Sequence, residues 1–523
     1  MDLPYTRPVS VAGSTAVTSG RRLRDRLSSM ESATLTRPRP GRKTLATRVR
    51  AVPWPRLALG LLALVVAALA VVYPTFPNYD SYYSLVWGRE LLHGQALSFD
   101  TYRAPTQHPL AIAFGALLVP LGRDADHVLV YATLASFVVL AAGLYRLGRA
   151  SFTAVVGLCA AALVCTRFDF PFLALRAYID IPYLALVVWA AALEADKPRR
   201  GTPVLVLLTL AGLLRPEVWL LSGLYWLYLF PREPWRLRVR HAALVAAAPL
   251  IWCTVDWLVT GDPLFSQHHT SGLAEELGRQ RTLGEVPSAT YYFLLGLTKA
   301  PVFWAGVLGI GLAVYLVPTR TRVPFALLVI GLGTFGVIGL AGLSIIDRYL
   351  LVPSMMVMVF AAVTVGGWTM LRPGSRLRVA WAAVAVVAVA YGVVFTAVRV
   401  NFASFDRELV FRGDSHEALV RLLDDPRVRA ARRCGPVTTP NHKLVPEVRW
   451  VLGADAQVGD VLPRSAKGTD ARARRGVAIL VTDRTALLRQ ALVQDYDDPL
   501  TSVPPPGFTP IARTGYYAAY GRC

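Results

Sequence analysis

The sequence predicts a polytopic α-helical membrane protein that is followed by a small polar domain. The chain has 523 residues, of which 54% are hydrophobic, and its mean hydropathy is +0.44. Many separate apolar runs approach the roughly 20 residues that are needed to cross a bilayer. The loops between these runs alternate between basic and acidic, as the positive-inside rule requires. Together these observations exclude an ordinary soluble protein of this length.

The chain begins with a basic tail, residues 1–56, which holds eleven Arg and one Lys against three acids. We expect this tail to be disordered and to lie in the cytoplasm close to anionic lipid. It is too long and too charged for the first part of a signal peptide. The net charge of +21 does not indicate nucleic-acid binding, because the basic residues form short clusters between apolar runs.

Residues 57–400 are predicted to contain eleven membrane-spanning helices with outer loops at 74–126, 167–180 and 260–290. The spans are placed at 57–73, 127–145, 151–166, 181–194, 202–214, 216–230, 242–259, 291–316, 323–344, 348–369 and 379–398. The apolar run Pro109–Gly122 has only fourteen residues, so we expect a re-entrant or interfacial helix there. Counting it as a span would invert every later loop and would break the positive-inside pattern.

Residues 401–523 are mostly polar and are predicted to form a small α/β or α+β domain outside the membrane. The run GVAILVTD (476–483) is typical of a buried strand, and it follows the stretch CGPVTTPN (434–441). Cys434 and Cys523 both belong to this domain. An oxidising exterior would permit a disulfide between them.

The first outer loop contains the residues around which the rest of the chain is organised. Asp80 comes six residues after the first apolar run, and a carboxylate placed so close to lipid usually has a partner or a function. A surface helix is predicted over 82–92, with Tyr82, Tyr83 and Trp87 at the depth of the lipid headgroups. We interpret this loop as the carrier of a reactive carboxylate that roofs a cavity. The structural alternative for Asp80 is a helix cap or an ion-pair partner.

Other unusual polar residues fall on the same predicted side of the membrane. Arg176 and Asp180 are four residues apart, so on one helix they would face the same way and could form a structural salt bridge. Arg215 and Glu217 lie in a tight break between two spans, where they could anchor the helix ends. These residues are candidates for a site or for structural ion pairs.

Two further motifs are candidates for phosphate binding. Arg348 and Tyr349 open a late span, and a guanidinium can make paired hydrogen bonds to phosphate oxygens. His268 and His269 are adjacent in the 260–290 loop and point in different directions. Without a third ligand they are weak evidence for zinc, and they suit a phosphate, a sugar hydroxyl or an idle surface role. The sequence contains no Gly-rich phosphate loop, HExxH, GxSxG or CxxC motif.

These motifs, taken in order and on one side of the membrane, resemble the GT-C superfamily of integral-membrane glycosyltransferases. They are YDSYYSLVWGRELLHG (79–94), PTQHPL (105–110), RAYIDIP (176–182), LLRPE (213–217) and DRYLLVP (347–353). Within the superfamily the chain looks most like the bacterial enzymes grouped with lipid-A aminoarabinose transferases and protein O-mannosyltransferases. The resemblance covers about residues 57–400, and the outer domain would correspond to the C-terminal extracytoplasmic domain of such enzymes.

The resemblance implies a sugar donor on polyprenyl phosphate, with its tail among membrane lipids, and an acceptor in the bacterial cell envelope. Asp80 would be the general base of an inverting transfer. The implied substrate- and phosphate-binding residues are Arg176, Asp180, His108, His268, His269, Arg348, Tyr349 and Glu217. Many members carry two adjacent acids in the first loop, whereas Ser81 follows Asp80 here. No metal ligand is therefore assigned, and a divalent cation stays open as a cofactor.

Two other classes of protein stay compatible with the sequence. A secondary transporter or a flippase of lipid-linked sugars would show an internal repeat and a charged group near mid-membrane. We find no clear repeat, and Asp256 is the one candidate group. A non-catalytic envelope scaffold would tolerate replacement of Asp80. The concentration of polar residues on one side favours the enzyme, with its N-terminus in the cytoplasm.

Overall fold

The computed structural model describes residues 54–73, 76–276, 283–399, 402–454, 456–466, 469–483 and 503–523. The predicted basic tail lies almost wholly outside these ranges. The described chain is mainly helical and contains one small sheet. Six of its helical segments are long and apolar enough to cross a membrane, or eight if each of two bent helix pairs counts as one span.

The helices of the apolar part follow one another with short connections. They are α1 (Trp54–Val72), α2 (Tyr79–Leu92), α3 (Pro109–Leu118), α4 (Ala125–Ser151), α5 (Ala154–Thr166), α6 (Asp169–Leu175), α7 (Asp180–Asp196), α8 (Thr202–Gly212), α9 (Val218–Leu229), α10 (Trp235–Thr260), α11 (Phe265–Glu276), α12 (Val286–Thr298), α13 (Ala300–Leu316), α14 (Pro318–Leu340), α15 (Leu351–Gly366) and α16 (Arg376–Arg399). Helix α15 lies at the centre of the bundle and is almost entirely buried, whereas α1 and α16 lie at its periphery.

The C-terminal part contains shorter helices and all the described strands. They are α17 (Phe402–Asp424), α18 (Pro426–Ala431), β1 (Val437–Thr439), α19 (Val445–Leu452), β2 (Val461–Pro463), α20 (Thr469–Arg472), β3 (Gly476–Val481), β4 (Thr509–Arg513) and β5 (Tyr517–Arg522). Short 3-10 helices occur at Val119–Asp124, Phe230–Arg232, Leu283–Glu285, Asp347–Leu350, Gly367–Met370, Arg432–Cys434, His442–Leu444 and Val458–Asp460.

Apolar helices form at all the predicted spans, but two features differ from the prediction. The span predicted over 291–316 is wrong as a single helix, because the chain bends by 108° between α12 and α13. Lys299, at the bend, has a φ of 65°. Helices α7, α8 and α9 have 17, 11 and 12 residues, fewer than the roughly 20 that cross a bilayer. The count of eleven spans therefore stays a prediction.

The short apolar helix predicted over Pro109–Gly122 is α3, which packs against α2. A Cβ atom on Gly115 would lie 2.5 Å from the carbonyl oxygen of Ser84, and one on Gly88 would lie 2.4 Å from the backbone nitrogen of Ala116. Glycine at both positions permits this approach of one backbone to the other. Judged by length and composition alone, α3 and α4 together count as one apolar segment.

Helix α2 is buried rather than lying on the surface. Every residue from Ser81 to Glu90 is buried, because α3 covers one side of the helix and α19 of the C-terminal domain packs on another. The prediction that Tyr82, Tyr83 and Trp87 settle among lipid headgroups is therefore wrong. Their rings contribute to small cores beneath the C-terminal domain.

The C-terminal domain is built on a mixed sheet of five described strands in the order β2-β1-β3-β5-β4. Strand β1 is parallel to β2 and β3, and β5 is antiparallel to β3 and β4. The central strand β3 is buried along its whole length, which accounts for its unbroken apolar sequence. Cys434 and Cys523 form a disulfide, with Cα atoms 5.2 Å apart.

A buried ion pair joins α2 to α19. Arg449 Nη2 lies 2.6 Å from Glu90 Oε1, and the two side chains are only 2% and 3% exposed. Ser98 bridges the pair, since its backbone N–H donates to Glu90 at 2.9 Å and its hydroxyl accepts from Arg449 Nη1 at 3.0 Å. Arg89 donates to the backbone carbonyls of Arg449 and Trp450. These contacts fix the C-terminal domain on the first outer loop.

Replacing Glu90 by Ala should lower the free energy of unfolding by about 3–5 kcal/mol, because it leaves the buried charge of Arg449 unpaired. Thermal unfolding of the purified protein in detergent measures the effect. Glu417→Ala is the matched control, because it removes an exposed ion pair with Arg421 and should change stability little. Equal losses in the two variants would contradict a structural role for the buried pair.

Candidate active site

A cavity of about 440 Å³ lies between α2, the second outer loop, α11 and the C-terminal domain. Six Arg or Lys residues line it, against two carboxylates. The cations are Arg103, Arg176, Arg215, Arg348, Arg412 and Lys443, and the carboxylates are Asp80 and Glu447. This excess of positive charge suits an anionic ligand.

Asp80 is held at the cavity wall by the capping of α2. Asn78 Oδ1 accepts a hydrogen bond from the Asp80 backbone N–H at 2.8 Å, and the Asn78 backbone N–H donates to the Arg176 carbonyl at 2.9 Å. Ser81 Oγ donates to the carbonyl of Ala177 at 2.6 Å. The second outer loop therefore positions the first turn of α2, where the exposed backbone N–H groups favour a negative charge.

An alternating chain of charges extends from Asp80 into the protein. Arg348 Nη1 lies 3.5 Å from Asp80 Oδ2 and 3.5 Å from Asp180 Oδ2. Arg215 pairs with Asp180 Oδ1 and, at 3.0 Å, with Glu217 Oε1. The Asp180 side chain is 0% exposed, whereas that of Asp80 is 22% exposed. Residues from four separate motifs thus meet, and Asp80 is the carboxylate at the cavity end.

The predicted ion pair between Arg176 and Asp180 does not form. Arg176 ends α6 and Asp180 begins α7, and between them Ala177 has a φ of 52°. The two residues are therefore not on one helix. Asp180 pairs with other guanidiniums, and the Arg176 guanidinium lies over the Phe76 ring, 4.7 Å from its centroid.

Helix α11 covers the cavity together with the first outer loop. Thr270 and Leu273 of α11 line the cavity. Thr270 Oγ1 lies 2.8 Å from Thr106 Oγ1, and Arg103 forms a 3.0 Å ion pair with Glu276. Residues 277–282 of the predicted outer loop 260–290 lie outside the described residues.

The structure does not bring His268 or His269 into the cavity. His268 is exposed, and its Nδ1 lies 2.7 Å from Asp262 Oδ2. His269 Nε2 donates to the Ala104 carbonyl at 3.0 Å, and the His269 ring stacks on Phe265. Both imidazoles hold the 260–290 loop in place, so their predicted contact with phosphate is not supported.

His108 and Tyr349 do line the cavity, close to Arg215. Burial, followed by the positive charge of Arg215, lowers the pKa of His108 to about 3. Its Nδ1 atom is buried and has no hydrogen-bond partner among the described residues. The Tyr349 ring lies under the Arg215 guanidinium, 5.7 Å away. His108 is therefore a neutral polar group that faces the cavity at physiological pH.

One wall of the cavity comes from the C-terminal domain, and no sequence motif predicted it. Arg412 and Ser415 of α17 contribute, as do Lys443 and Glu447 near the start of α19. A signal was present, because His442 and Lys443 come within four residues of the carboxyl end of β1, and ligands of α/β sheets bind at such strand ends.

The site residues do not fit a divalent cation. Among the described ranges, no group of three or more His, Cys, Asp or Glu side chains could hold a metal. Asp80 and Asp180 are the carboxylates that face each other, and Arg348 Nη1 lies 3.5 Å from both. A guanidinium therefore fills the position that a bridging cation would need.

The low pKa of His108 predicts a loss of stability in acid. The unfolded imidazole takes up a proton near pH 6.5, whereas the folded one stays neutral down to about pH 3. The contribution is fully present above pH 6.5 and is lost as the pH falls from 6.5 towards 3. Thermal unfolding between pH 7.5 and 5 should therefore show a shallower decline in His108→Asn than in the wild type. An identical decline would contradict the assignment.

Comparison with known proteins identifies similar folds but no close relative. No family model and no curated protein matches the chain. The structure of ArnT from Cupriavidus metallidurans bound to undecaprenyl phosphate matches 90% of this chain and 98% of its own, with 13% identity and a TM-score of 0.52. The same protein in the apo state gives the same coverage and TM-score with 14% identity.

An apo oligosaccharyltransferase from Archaeoglobus fulgidus matches 79% of this chain and 65% of its own, with 14% identity and a TM-score of 0.45, which is too low to support an argument. The ArnT match is remote in sequence and extends over nearly the whole of both chains. At this sequence identity, the match is evidence about the fold alone. The chain therefore has the fold of ArnT, which agrees with the GT-C resemblance of its motifs.

Proposed function

We propose that this protein is a membrane glycosyltransferase that moves a sugar from a polyprenyl-phosphate donor to an acceptor outside the membrane. The observation that carries the proposal is a carboxylate, Asp80, in the wall of a cationic cavity above apolar helices. ArnT, which has this fold, binds undecaprenyl phosphate, and this supports a donor of the same chemistry.

Arg348 is the residue best placed to bind the phosphate of the donor. Its contacts with Asp80 and Asp180, at 3.5 Å, are longer than the 2.7–2.9 Å of strong charge-assisted bonds. Among the described residues, its Nε and Nη2 groups make no hydrogen bond. A guanidinium in this state can donate to two phosphate oxygens. It would stabilise the negative charge that develops on the leaving phosphate.

Asp80 acts as the general base in this proposal. It takes the proton of the acceptor hydroxyl while the hydroxyl oxygen bonds to the anomeric carbon from the face opposite the phosphate. The bond between that carbon and the phosphate oxygen breaks, and its electron pair leaves with the phosphate, so the anomeric configuration inverts. Asp180 and Arg215 do not react, and they hold Arg348 in position.

The charge pattern along α10 supports a location of the cavity outside the bacterial plasma membrane. The helix begins with Arg236, Arg238 and Arg240, and it ends next to α11, which covers the cavity. Basic residues favour the cytoplasmic end of a span. The proposal therefore keeps residues 1–56 in the cytoplasm, eleven spans in 57–400 and the domain 401–523 outside.

Asp256, the residue that pointed to a transporter, makes structural hydrogen bonds. Its carboxylate accepts from Gln107 Nε2 at 3.2 Å and from the backbone N–H and hydroxyl of Ser266 at 3.0 and 2.9 Å. These bonds attach α11 and the first outer loop to α10. The geometry therefore favours a role in holding the cover of the cavity over ion or sugar transport.

Replacing Asp80 by Asn should lower sugar transfer by about 10²–10⁴-fold, because the amide cannot accept the proton. Membranes of a deletion strain that carry either protein are supplied with radiolabelled polyprenyl-phosphate sugars, and label in any envelope product is measured at equal protein levels. Asp100→Asn, an exposed acid of the same loop, is the matched control and should transfer normally.

Equal transfer by the wild type and Asp80→Asn would remove Asp80 as the base and would direct the search to Asp180 or Asp347. If the wild type transferred label from none of the donors, the glycosyltransferase proposal itself would be wrong.

A further inference from the structure

Arg176 is a buried cation that faces the cavity without an anionic partner. The residue is 7% exposed, it lines the cavity, and its Nε atom is buried with no hydrogen-bond acceptor. Among the described residues, no carboxylate lies within ion-pair distance of its guanidinium, and its close neighbour is the Phe76 ring. A buried charge is normally paired, so this one calls for a partner that the described part of the chain does not supply.

The residues around Arg176 increase the positive charge of this part of the cavity. Burial, together with the like charge of Arg412, lowers the pKa of Arg176 to about 10. Glu447 lies in the same wall, but its carboxylate is 2.7 Å from His416 Nδ1. Lys443 and Arg412 line the wall as well, and the Nε group of Arg412 pairs with Glu408 of the same helix at 2.5 Å. An oxyanion placed beside Arg176 would therefore meet cations from both the membrane part and the C-terminal domain.

The surroundings of Arg348 are different. Arg348 lies between Asp80 and Asp180, and Arg215 lies between Asp180 and Glu217. Three carboxylates thus surround two guanidiniums, and an anion that binds there competes with carboxylates of the chain. The two groups of cations also face different neighbours, because Arg348 packs over Tyr178 whereas the Arg176 guanidinium lies over Phe76.

We propose that Arg176, Arg412 and Lys443 form a second anion subsite, which binds a phosphate or carboxylate group of the acceptor. The inference rests on the proposed function and adds the substrate class: the acceptor is an acidic envelope molecule whose accepting hydroxyl lies near its anionic group. Guanidiniums suit this task because they donate paired hydrogen bonds to planar or tetrahedral oxyanions.

Two anion subsites in one cavity would hold both substrates in the space whose wall carries Asp80. The donor phosphate would bind at Arg348, the acceptor anion would bind at Arg176, and the accepting hydroxyl would lie between them. A cavity of about 440 Å³ is in the size range of sites for small molecules. Binding at both ends aligns the hydroxyl with the anomeric carbon, which is a main source of acceleration in such reactions.

The test measures the binding of two probes to the purified full chain in detergent by titration calorimetry. Geranyl phosphate represents the prenyl phosphate of the donor, and glycerol 3-phosphate represents an anionic acceptor without a prenyl tail. Arg176→Met should weaken the binding of glycerol 3-phosphate by about tenfold or more, as expected for the loss of a charge-assisted hydrogen bond. The same substitution should leave the affinity for geranyl phosphate nearly unchanged.

Arg348→Met should show the reverse pattern, and Arg176→Lys should retain part of the binding of glycerol 3-phosphate. Arg421→Met is the matched control, because Arg421 is an exposed residue on α17, and it should change neither affinity. If Arg176→Met does not fold, the double variant Arg412→Met/Lys443→Met tests the same subsite from the side of the C-terminal domain.

The proposal is overturned if glycerol 3-phosphate does not bind the wild type, or if its affinity is unaffected by Arg176→Met. It is also overturned if Arg176→Met weakens the binding of geranyl phosphate as strongly as that of glycerol 3-phosphate, because Arg176 then belongs to the donor site. If geranyl phosphate fails to bind while glycerol 3-phosphate binds through Arg176, the second subsite is supported and the proposed donor is wrong.

Discussion

The buried carboxylate of Asp180 is the interaction on which the cavity depends. It pairs with Arg215 and Arg348, which in turn reach Glu217 and Asp80. Charges in a protein interior are normally paired, and removing one member of a buried pair leaves the other unpaired at a large cost. Three helix junctions and the start of α2 are thus held together by electrostatics. Without these ion pairs, the apolar helices would be held together by hydrophobic contacts, which do not fix one orientation of a helix against another.

Hydropathy was sufficient to predict the helical membrane fold, and the order of the motifs was sufficient to predict that several polar residues belong to one site. Asp80, Asp180 and Arg348 were recognised because charged residues are rare beside apolar spans. Their pairing could not be read from the sequence. A spacing of four residues relates Arg176 to Asp180 only on a continuous helix, and Ala177, with its positive φ, breaks the helix between them.

The parts of the site that were missed depend on tertiary packing. His268 and His269 are residues of a type that often binds ligands. In the structure, however, a ring nitrogen of His268 is hydrogen-bonded to Asp262, and one of His269 is hydrogen-bonded to the Ala104 carbonyl. Conversely, Lys443 lies in a polar segment that resembles many surface loops. It reaches the cavity only because the C-terminal domain docks on α2. The hydrophobic periodicity of the sequence cannot reveal this docking, because the Glu90–Arg449 ion pair that secures it joins residues that are 359 positions apart.

The contribution of the C-terminal domain to the cavity has a consequence for the biogenesis of the protein. The apolar helices and α2 are translated well before Glu447 is synthesised. Until the C-terminal domain has settled on α2, the wall of the cavity that Arg412, Lys443 and Glu447 provide is missing. Newly made and prematurely terminated chains therefore hold only part of the cavity, and docking of the C-terminal domain is the step that completes it.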